Sequence, residues 1–448
     1  MISSLRQSLF KYLPSLMESR FSNPIVIVGG CTGTGKSDLG IEIAKKFNGE
    51  IISADSMQIY KGLDIVTNKV TKEEMAGIPH HLMSFYEPTQ AEYNIQQFRK
   101  SALELIEDIW KRDKLPIIVG GTSYYIEGIL FCQNLIETDR EKSDILRKDL
   151  EKLSVDELYK KLQESDPEAA NQVHRNNRYR VLRALEIFLL TGKKKSEIIE
   201  EQKASTSSDL DGGLRFSDSL YINVDSDLEV LNERLKNRID KMAGKGLKKE
   251  LEEFYDKYRE SLQSHGIYQS IGIKEFIPYL KLTENQRKSE KGEKLFVEGC
   301  DQLTVRTVKY AKKQRLWFRQ RLVRRKNIRN LPQLVAVNTT KADLFLSTIV
   351  PEVLTIVDRF INKKSLDLHT ANNHFISDPM AFESDNEVVS QPGYLKRANQ
   401  LYICDTCDME IHSEVGWNSH LKGKKHKFNV KKAKRVAEEE QIIVVSKE

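Results

Sequence analysis

The chain has 448 residues, 30% of them charged and 8% aromatic, with 71 Lys and Arg against 65 Asp and Glu for a net charge of +6. That length supplies two or three domains with ample cores, and no stretch approaches the ~18 apolar residues of a membrane span. Five cysteines is an odd number, and Cys31, Cys132 and Cys300 are widely scattered, which argues against a disulfide framework and for a reducing compartment.

In chain order, Met1–Arg20 sets Arg6, Lys11 and Arg20 against the single acid Glu18, with several serines and with Leu5, Leu9, Leu13 and Leu16 spaced as one helical face. This is the composition of a mitochondrial presequence over residues 1–22. Pro14 interrupts the helix, so a short lead-in is the alternative. Met17 offers a second start without the presequence, so an additional cytoplasmic or nuclear form is expected beside the mitochondrial one.

The β-branched run Ile25–Val28 then feeds Gly30-Cys31-Thr32-Gly33-Thr34-Gly35-Lys36-Ser37, which fits G-x-x-x-x-G-K-[ST] between a strand and the helical DLGIEIAKKF. The glycines let successive N–H groups turn inward beside a helix N-terminus. Lys36 is placed to balance phosphate charge, and the Ser37 hydroxyl to reach Mg²⁺. The motif specifies a diphosphate or triphosphate with a metal, and does not say which.

Glu50–Ala54 reads as a second strand ending at Asp55, NIQQFRKSALELIEDIWKR as a helix, and LPIIVGGTSYYIEGIL as a third strand followed by a turn. Alternating strand and helix imply a parallel, doubly wound sheet, whose ligand crevice lies beyond the carboxyl ends of its strands. The P-loop, Asp55-Ser56-Met57-Gln58 and Gly120-Gly121-Thr122 are expected to meet there. A carboxylate facing a phosphate cradle is placed to take a proton from an attacking nucleophile. Capping of the following turn is the other role open to Asp55. Gly120-Gly121 lets a backbone approach a ligand closely, or is simply a turn.

Residues 139–205 read as charged helices, with Arg175, Arg178, Arg180 and Arg183 crowded ahead of Leu185, Ile187 and Phe188. A polar loop, the strand-like SLYINVD and two long helices complete the core over 206–330. The second helix carries Arg306, Lys309, Lys312, Lys313, Arg315, Arg319, Arg321, Arg324 and Arg325 with Tyr310, Trp317 and Phe318 between them and no acid for over twenty residues. Basic side chains neutralise backbone phosphates and aromatics stack on bases, so the run points to nucleic acid.

Residues 331–398 read as a C-terminal helix, TTKADLFLSTIVPEVLTIVDRFINKKS, and a linker. Within 399–435, Cys404-x2-Cys407-x12-His420-x5-His426 has the ligand types and spacing of a tetrahedral Zn²⁺ site, thiolates on a β-turn and both imidazoles on one helix. The lysines of HLKGKKHKFNVKKAKR fit either an RNA grip or a nuclear import signal.

The segments GGCTGTGKSDL, ISADSMQIYKGLDIVTNK, GIPHHLMSF, LPIIVGGTSYYIEGIL, YRVLRALEIF, NRIDKM, QSIGIKEF and YAKKQRLW resemble, in order and spacing, the tRNA dimethylallyltransferases, over roughly residues 24–320. The eukaryotic forms with a C-terminal zinc finger are the nearest likeness. The resemblance implies a P-loop NTPase-like α/β core, a helical tRNA-binding insertion and a small Cys₂His₂ finger in an expected monomer. It implies transfer of the dimethylallyl group of dimethylallyl diphosphate to N6 of adenine 37 in tRNA. The P-loop then cradles a leaving group, with Gly30, Cys31, Thr32, Gly33, Thr34, Gly35, Lys36 and Ser37 around the diphosphate and its Mg²⁺. Asp55 becomes the base, and Thr32 and Arg238 contact the bridging region of the diphosphate, Arg234 lying one turn from Arg238. Ser56, Met57 and Gln58 flank the adenine, while Thr122 and the Tyr179-Arg180-Val181-Leu182-Arg183 stretch touch tRNA. The base must leave the anticodon stack, so a flipped adenine in a tunnel between core and helices is implied. A P-loop kinase or ATPase acting on RNA is the alternative.

Overall fold

The computed structural model describes residues 23–90, 93–132, 136, 138–205, 213–260, 266–325, 330–366, 375–379, 401–407, 409–412 and 414–431. The chain divides into two compact units, Met1–Gln133 with Gly212–Asp385, and Asn134–Asp211 with Asn386–Glu448. The segment read as a presequence, the linker after 380 and the end of the basic tail lie outside the described residues.

In the first unit a sheet runs in the order β3-β2-β4-β1-β5-β6-β7. Its strands are β1 (Ile25–Gly30), β2 (Gly49–Ser53), β3 (His80–His81), β4 (Leu115–Val119), β5 (Ser219–Asp225), β6 (Gln333–Asn338) and β7 (Ile376–Ser377). All neighbours are parallel except β6 and β7. β1 is apolar at every position from Ile25 to Val28 because both of its faces are covered. Ile25 and Ile27 enter one core with Phe98, Tyr221, Phe276 and Phe318. Val26 and Val28 enter another with Leu39, Val335 and Val353. Successive side chains of one strand thus anchor two cores.

The helices of this unit are α1 (Lys36–Lys46), α2 (Ile95–Lys111) and α3 (Ser123–Leu130) before the insertion, with others after it. α2 starts where the sequence says it should, since Asn94 and Gln97 form a reciprocal capping box. The insertion contains α4 (Arg140–Leu150), α5 (Val155–Ser165), α6 (Pro167–Gln172), α7 (Arg178–Thr191) and α8 (Lys195–Ser205). Its own small core joins Leu150, Leu158, Leu162, Ala170, Val181, Leu182 and Leu185. The chain returns to the first unit through β5, α9 (Leu228–Gly244), α10 (Leu247–Tyr258), the 32-residue α11 (Glu290–Arg321) and α12 (Val350–Ile361). Among the described residues no helix is long and apolar enough to cross a membrane.

The sequence reading placed the end of the core near residue 330, and the structure moves it. Gln333–Asn338, assigned above to a helix and linker, is a full strand paired to β5 from Leu220↔Gln333 to Asp225↔Asn338. The helix expected there is shorter and later, with one π-helical turn at Phe345–Ile349 before α12. Pro351 in the first turn of α12 explains where that helix begins.

Candidate active site

At the carboxyl end of β1 the backbone must turn at once. Gly30 has φ +132, and a Cβ there would stand 2.1 Å from the Val224 carbonyl oxygen of β5. Gly33, at φ +86, leaves 2.8 Å from a Cβ to Leu235 of α9. Only glycine fits these turns. The Thr34 hydroxyl donates to the Cys31 carbonyl at 2.8 Å, and the Thr339 hydroxyl beyond β6 donates to the Thr34 carbonyl at 3.0 Å. The phosphate loop is thus braced before any ligand arrives.

Charged and hydroxylic groups surround this loop. Lys36 donates to the Cys31 carbonyl, and burial pushes its ammonium down to about 8. Arg238 of α9 donates from Nη2 to the Thr32 hydroxyl at 3.1 Å. Its Nε is buried without a partner, and burial pushes the guanidinium down to about 10. A buried cation with an unused donor is costly unless an anion completes it. Arg234, one turn earlier, is committed elsewhere, with Nη2 donating to the carbonyls of Thr339 at 2.6 Å and Thr340 at 2.9 Å. Of the two arginines, Arg238 is the one that keeps an unused donor for an anion. Ser37 stands partly exposed in the first turn of α1.

Asp55 follows β2, and of the two roles the sequence left open the structure shows the cap. Its Oδ1 accepts the Met57 amide at 2.9 Å, which caps the turn. Burial raises the carboxyl above the ordinary aspartate value, against the Met57 and Gln58 amides and the charges of Lys36 and Arg238. Thr122 accepts the Ser56 amide at 3.0 Å and donates to the Ser56 hydroxyl at 3.3 Å. The Gln58 side chain is occupied within its own loop, Nε2 donating to the carbonyls of Thr67 at 3.1 Å and Asn68 at 3.2 Å.

Gly120-Gly121 lets protein segments approach closely. A Cβ on Gly120 would lie 2.2 Å from the Ala54 carbonyl oxygen, and one on Gly121 would lie 2.2 Å from Gln314 Nε2. The close approach these glycines permit is between protein segments, Ala54 ahead of the carboxylate and a helix behind.

That helix is α11, whose inner face is a wall of the site that the sequence reading did not find. Cys31 Sγ donates to the Ala311 carbonyl at 3.4 Å, and Gln314 joins Thr32 to Gly121. Arg315 Nη2 donates to Asp225 Oδ1 at 2.6 Å, Arg321 pairs with buried Glu127, and Phe318 stacks on Tyr221 at 5.4 Å. Two of the nine cations in the basic run are thereby internal. Lys309, Lys312 and Lys313 remain exposed on the other face.

In the insertion, the Tyr179–Arg183 stretch opens α7 and divides by helical face. Tyr179 is 55% exposed and Arg180 exposed, but Val181 and Leu182 are core residues and cannot meet a ligand directly. Arg183 donates to Thr138 Oγ1 at 2.8 Å and to the Ile136 carbonyl at 2.6 Å, and pairs with the buried carboxylate of Glu186. It supports the helix from inside. Arg147, held by Glu186 at 2.8 Å, also lies 5.7 Å from the centre of the Tyr179 ring.

At the C-terminus β8 (Leu401–Cys404) and β9 (Met409–His412) form a hairpin ahead of α13 (Glu414–Lys422). The donor atoms of Cys404, Cys407, His420 and His426 all lie within 4.8 Å of one another. His420 Nε2 is buried with no partner, and His426 Nδ1 is 3.5 Å from both sulfurs. Two thiols, two imidazoles and an orphaned donor fit tetrahedral Zn²⁺. The histidines are not on one helix: α13 ends at Lys422, the Gly423 amide bonds to the His420 carbonyl at 2.9 Å, and His426 follows the bend. Six residues of straight helix rotate about 600° and would aim the rings apart.

Comparison with known proteins agrees with this architecture. The IPP transferase family model matches residues 58–321, an isopentenyl transferase model matches 23–84, and a zinc finger of C2H2 type matches 402–426. The chain is 37% identical to a tRNA dimethylallyltransferase of Mus musculus and 36% identical to that of Homo sapiens, each over 92% of this chain and 87% of the relative. It is 32% identical to the Saccharomyces cerevisiae enzyme of the same name over 95% and 96%. A solved eukaryotic dimethylallyltransferase acting on tRNA superposes with a TM-score of 0.73 at 32% identity, covering 94% of this chain and 99% of that one.

Proposed function

The chain belongs to the tRNA dimethylallyltransferases, and from that premise we propose that it transfers the dimethylallyl group of dimethylallyl diphosphate to N6 of adenine 37 in tRNA. The observation that carries this reading is the pairing of two subsites, a buried, incompletely satisfied Arg238 with Lys36 and Thr32 on one side and a burial-raised Asp55 on the other. In the displacement, N6 bonds to C1 of the allyl group while the C1–O bond to diphosphate breaks. The N6 proton passes to Asp55, and the charge gathering on the leaving oxygen is met by Arg238, Lys36 and the Thr32 hydroxyl. Mg²⁺ would be held by Ser37 with the diphosphate and would neutralise further charge. Purified protein is expected to move label from dimethylallyl diphosphate to tRNA and leave added ATP intact. Consumption of ATP without prenyl transfer would restore the kinase reading.

The two subsites carry opposite pH dependences. Lys36, pushed down to about 8, is a cation only below that value, so the affinity for dimethylallyl diphosphate is expected to weaken as pH rises through 8, by up to about tenfold per unit. Asp55 must be ionised, and its raised value moves the loss of activity at low pH to higher pH than for an ordinary aspartate. Measurement of kcat/KM for the donor between pH 5.5 and 9.5 tests both limbs. A donor KM unchanged across the alkaline half would contradict the role given to Lys36.

On the tRNA side, we assign Tyr179, Arg180 and the exposed lysines of α11 to phosphate and base contacts, with Thr122 and Ser56 at the acceptor. The finger, folded around Zn²⁺ by Cys404, Cys407, His420 and His426, adds a basic surface. Cys407→Ser is expected to release zinc and unfold the finger alone, because so small a core cannot stand without the metal. It should weaken tRNA binding, make log K less steep against log salt, and raise KM far more than it lowers kcat. Superimposable salt titrations of wild type and variant would instead assign the finger to protein contacts or nuclear entry. For localisation, residues 1–22 are proposed to direct the longer form to mitochondria, and imaging of forms starting at Met1 and Met17 separates the two destinations. The active form is proposed to be a monomer, to be checked by light scattering.

A further inference from the structure

The Gln314 amide is buried at 6% exposure and both of its ends are used. Its Oε1 accepts the Thr32 backbone N–H at 2.9 Å, and its Nε2 donates to the Gly121 carbonyl at 2.9 Å. One end therefore fixes a residue of the phosphate loop. The other fixes the turn whose next residue, Thr122, holds Ser56 beside Asp55. Because Gln314 takes the Thr32 N–H, that amide is withdrawn from the phosphate cradle, and Thr32 addresses the leaving group through its hydroxyl, already bonded to Arg238. The fit is tight, since Gly121 has no Cβ and one there would lie 2.2 Å from Nε2.

We propose that Gln314 is a positioning residue of the transfer reaction, setting the distance and angle between the donor loop at Thr32 and the acceptor loop at Thr122. This rests on the prenyl-transfer reading above. In-line displacement is sensitive to misplacement on the order of 1 Å, which costs about 10²-fold in rate. The role belongs to the amide as a paired donor and acceptor. A carboxylate keeps the acceptor and loses the donor, whereas a carboxylic acid restores both.

The test uses the full chain with dimethylallyl diphosphate and tRNA. Gln314→Met, which keeps shape and removes both bonds, is expected to lower kcat about 10²-fold with the KM of each substrate changed by only a few-fold. Gln314→Glu is expected to be impaired near pH 8 and to recover as pH falls. Its activity relative to wild type should rise about tenfold or more toward pH 5.5, because a buried Glu titrates well above its ordinary value. Simple loss of packing would not follow pH. Thermal melts and binding of inorganic pyrophosphate identify variants that have failed to fold. If Gln314→Met is among these, the Gln314→Glu profile decides alone. Wild-type kcat in Gln314→Met, a change confined to KM, or a flat Gln314→Glu to wild-type ratio would each overturn the proposal. An inactive wild-type protein would instead overturn the prenyl-transfer reading.

Discussion

Asp55→Ala is expected to reduce prenyl transfer by about 10³-fold or more while leaving tRNA affinity within a few-fold. A general base contributes roughly 10²–10⁴ in rate. Here it acts on an aryl amine, whose lone pair is a poor nucleophile until its proton is being removed. The carboxylate is held by the Met57 amide at 2.9 Å, so its geometry is fixed before substrate binds. Asp55→Asn is the sharper version of the test, because the amide keeps size and hydrogen bonding and removes only the basicity. It should be as inactive as Ala under single-turnover conditions. A variant that turns over within about tenfold of wild type would show that the proton leaves by another route.

The parts of this site that were legible in sequence are those where one residue type is forced by backbone geometry or charge. Gly30, Gly33 and Gly35 stand at φ values that favour glycine, Lys36 and Ser37 follow them on a helix, and Asp55 comes just after a fully buried strand. The sheet was legible for β1, β2, β4 and β5 because each centres on adjacent apolar, mostly β-branched residues and is buried on both faces. β6 was not, since Gln333–Asn338 alternates buried and exposed positions at one end and follows Pro332. His80 and His81 make a strand of two residues, too short for any period to register.

α11 is the more instructive miss. Its cations suggest a solvated helix offered to nucleic acid, and the exposed lysines fit that. The same residues carry a second pattern, a buried stripe through Leu303, Thr307, Ala311, Gln314 and Phe318 at spacings of three and four. A polar Gln and small Ala and Thr within such a stripe mark a helix pressed against backbone, and here the backbone is the phosphate loop. Charge density hid a packing signal of equal strength. In α7 the opposite error arises: a matched run of five residues was read as one surface, although helical rotation sends Val181 and Leu182 into the core.

Arg238→Ala is expected to lower kcat/KM for dimethylallyl diphosphate by about 10²–10³-fold, the usual effect of removing one preorganised charge stabiliser. Two observations set the size. The guanidinium is buried with Nε unpartnered, so a bound diphosphate would meet an unused donor there, and its Nη2 bonds to Thr32, so loss of either partner disturbs the other. Thr32→Ala should cost less, on the order of 10-fold to 10²-fold, and the double variant less than the product of the two, because groups joined by a hydrogen bond are not additive. Inorganic pyrophosphate should inhibit Arg238→Ala more weakly in step with the loss of rate. Arg234→Ala is the contrast on the same helix: its guanidinium anchors the Thr339 and Thr340 carbonyls, so it should lower the melting temperature more than the rate. Equal kinetic losses at the two arginines, or a fully multiplicative double variant, would mean that Arg238 and Thr32 do not act on the leaving group as one unit.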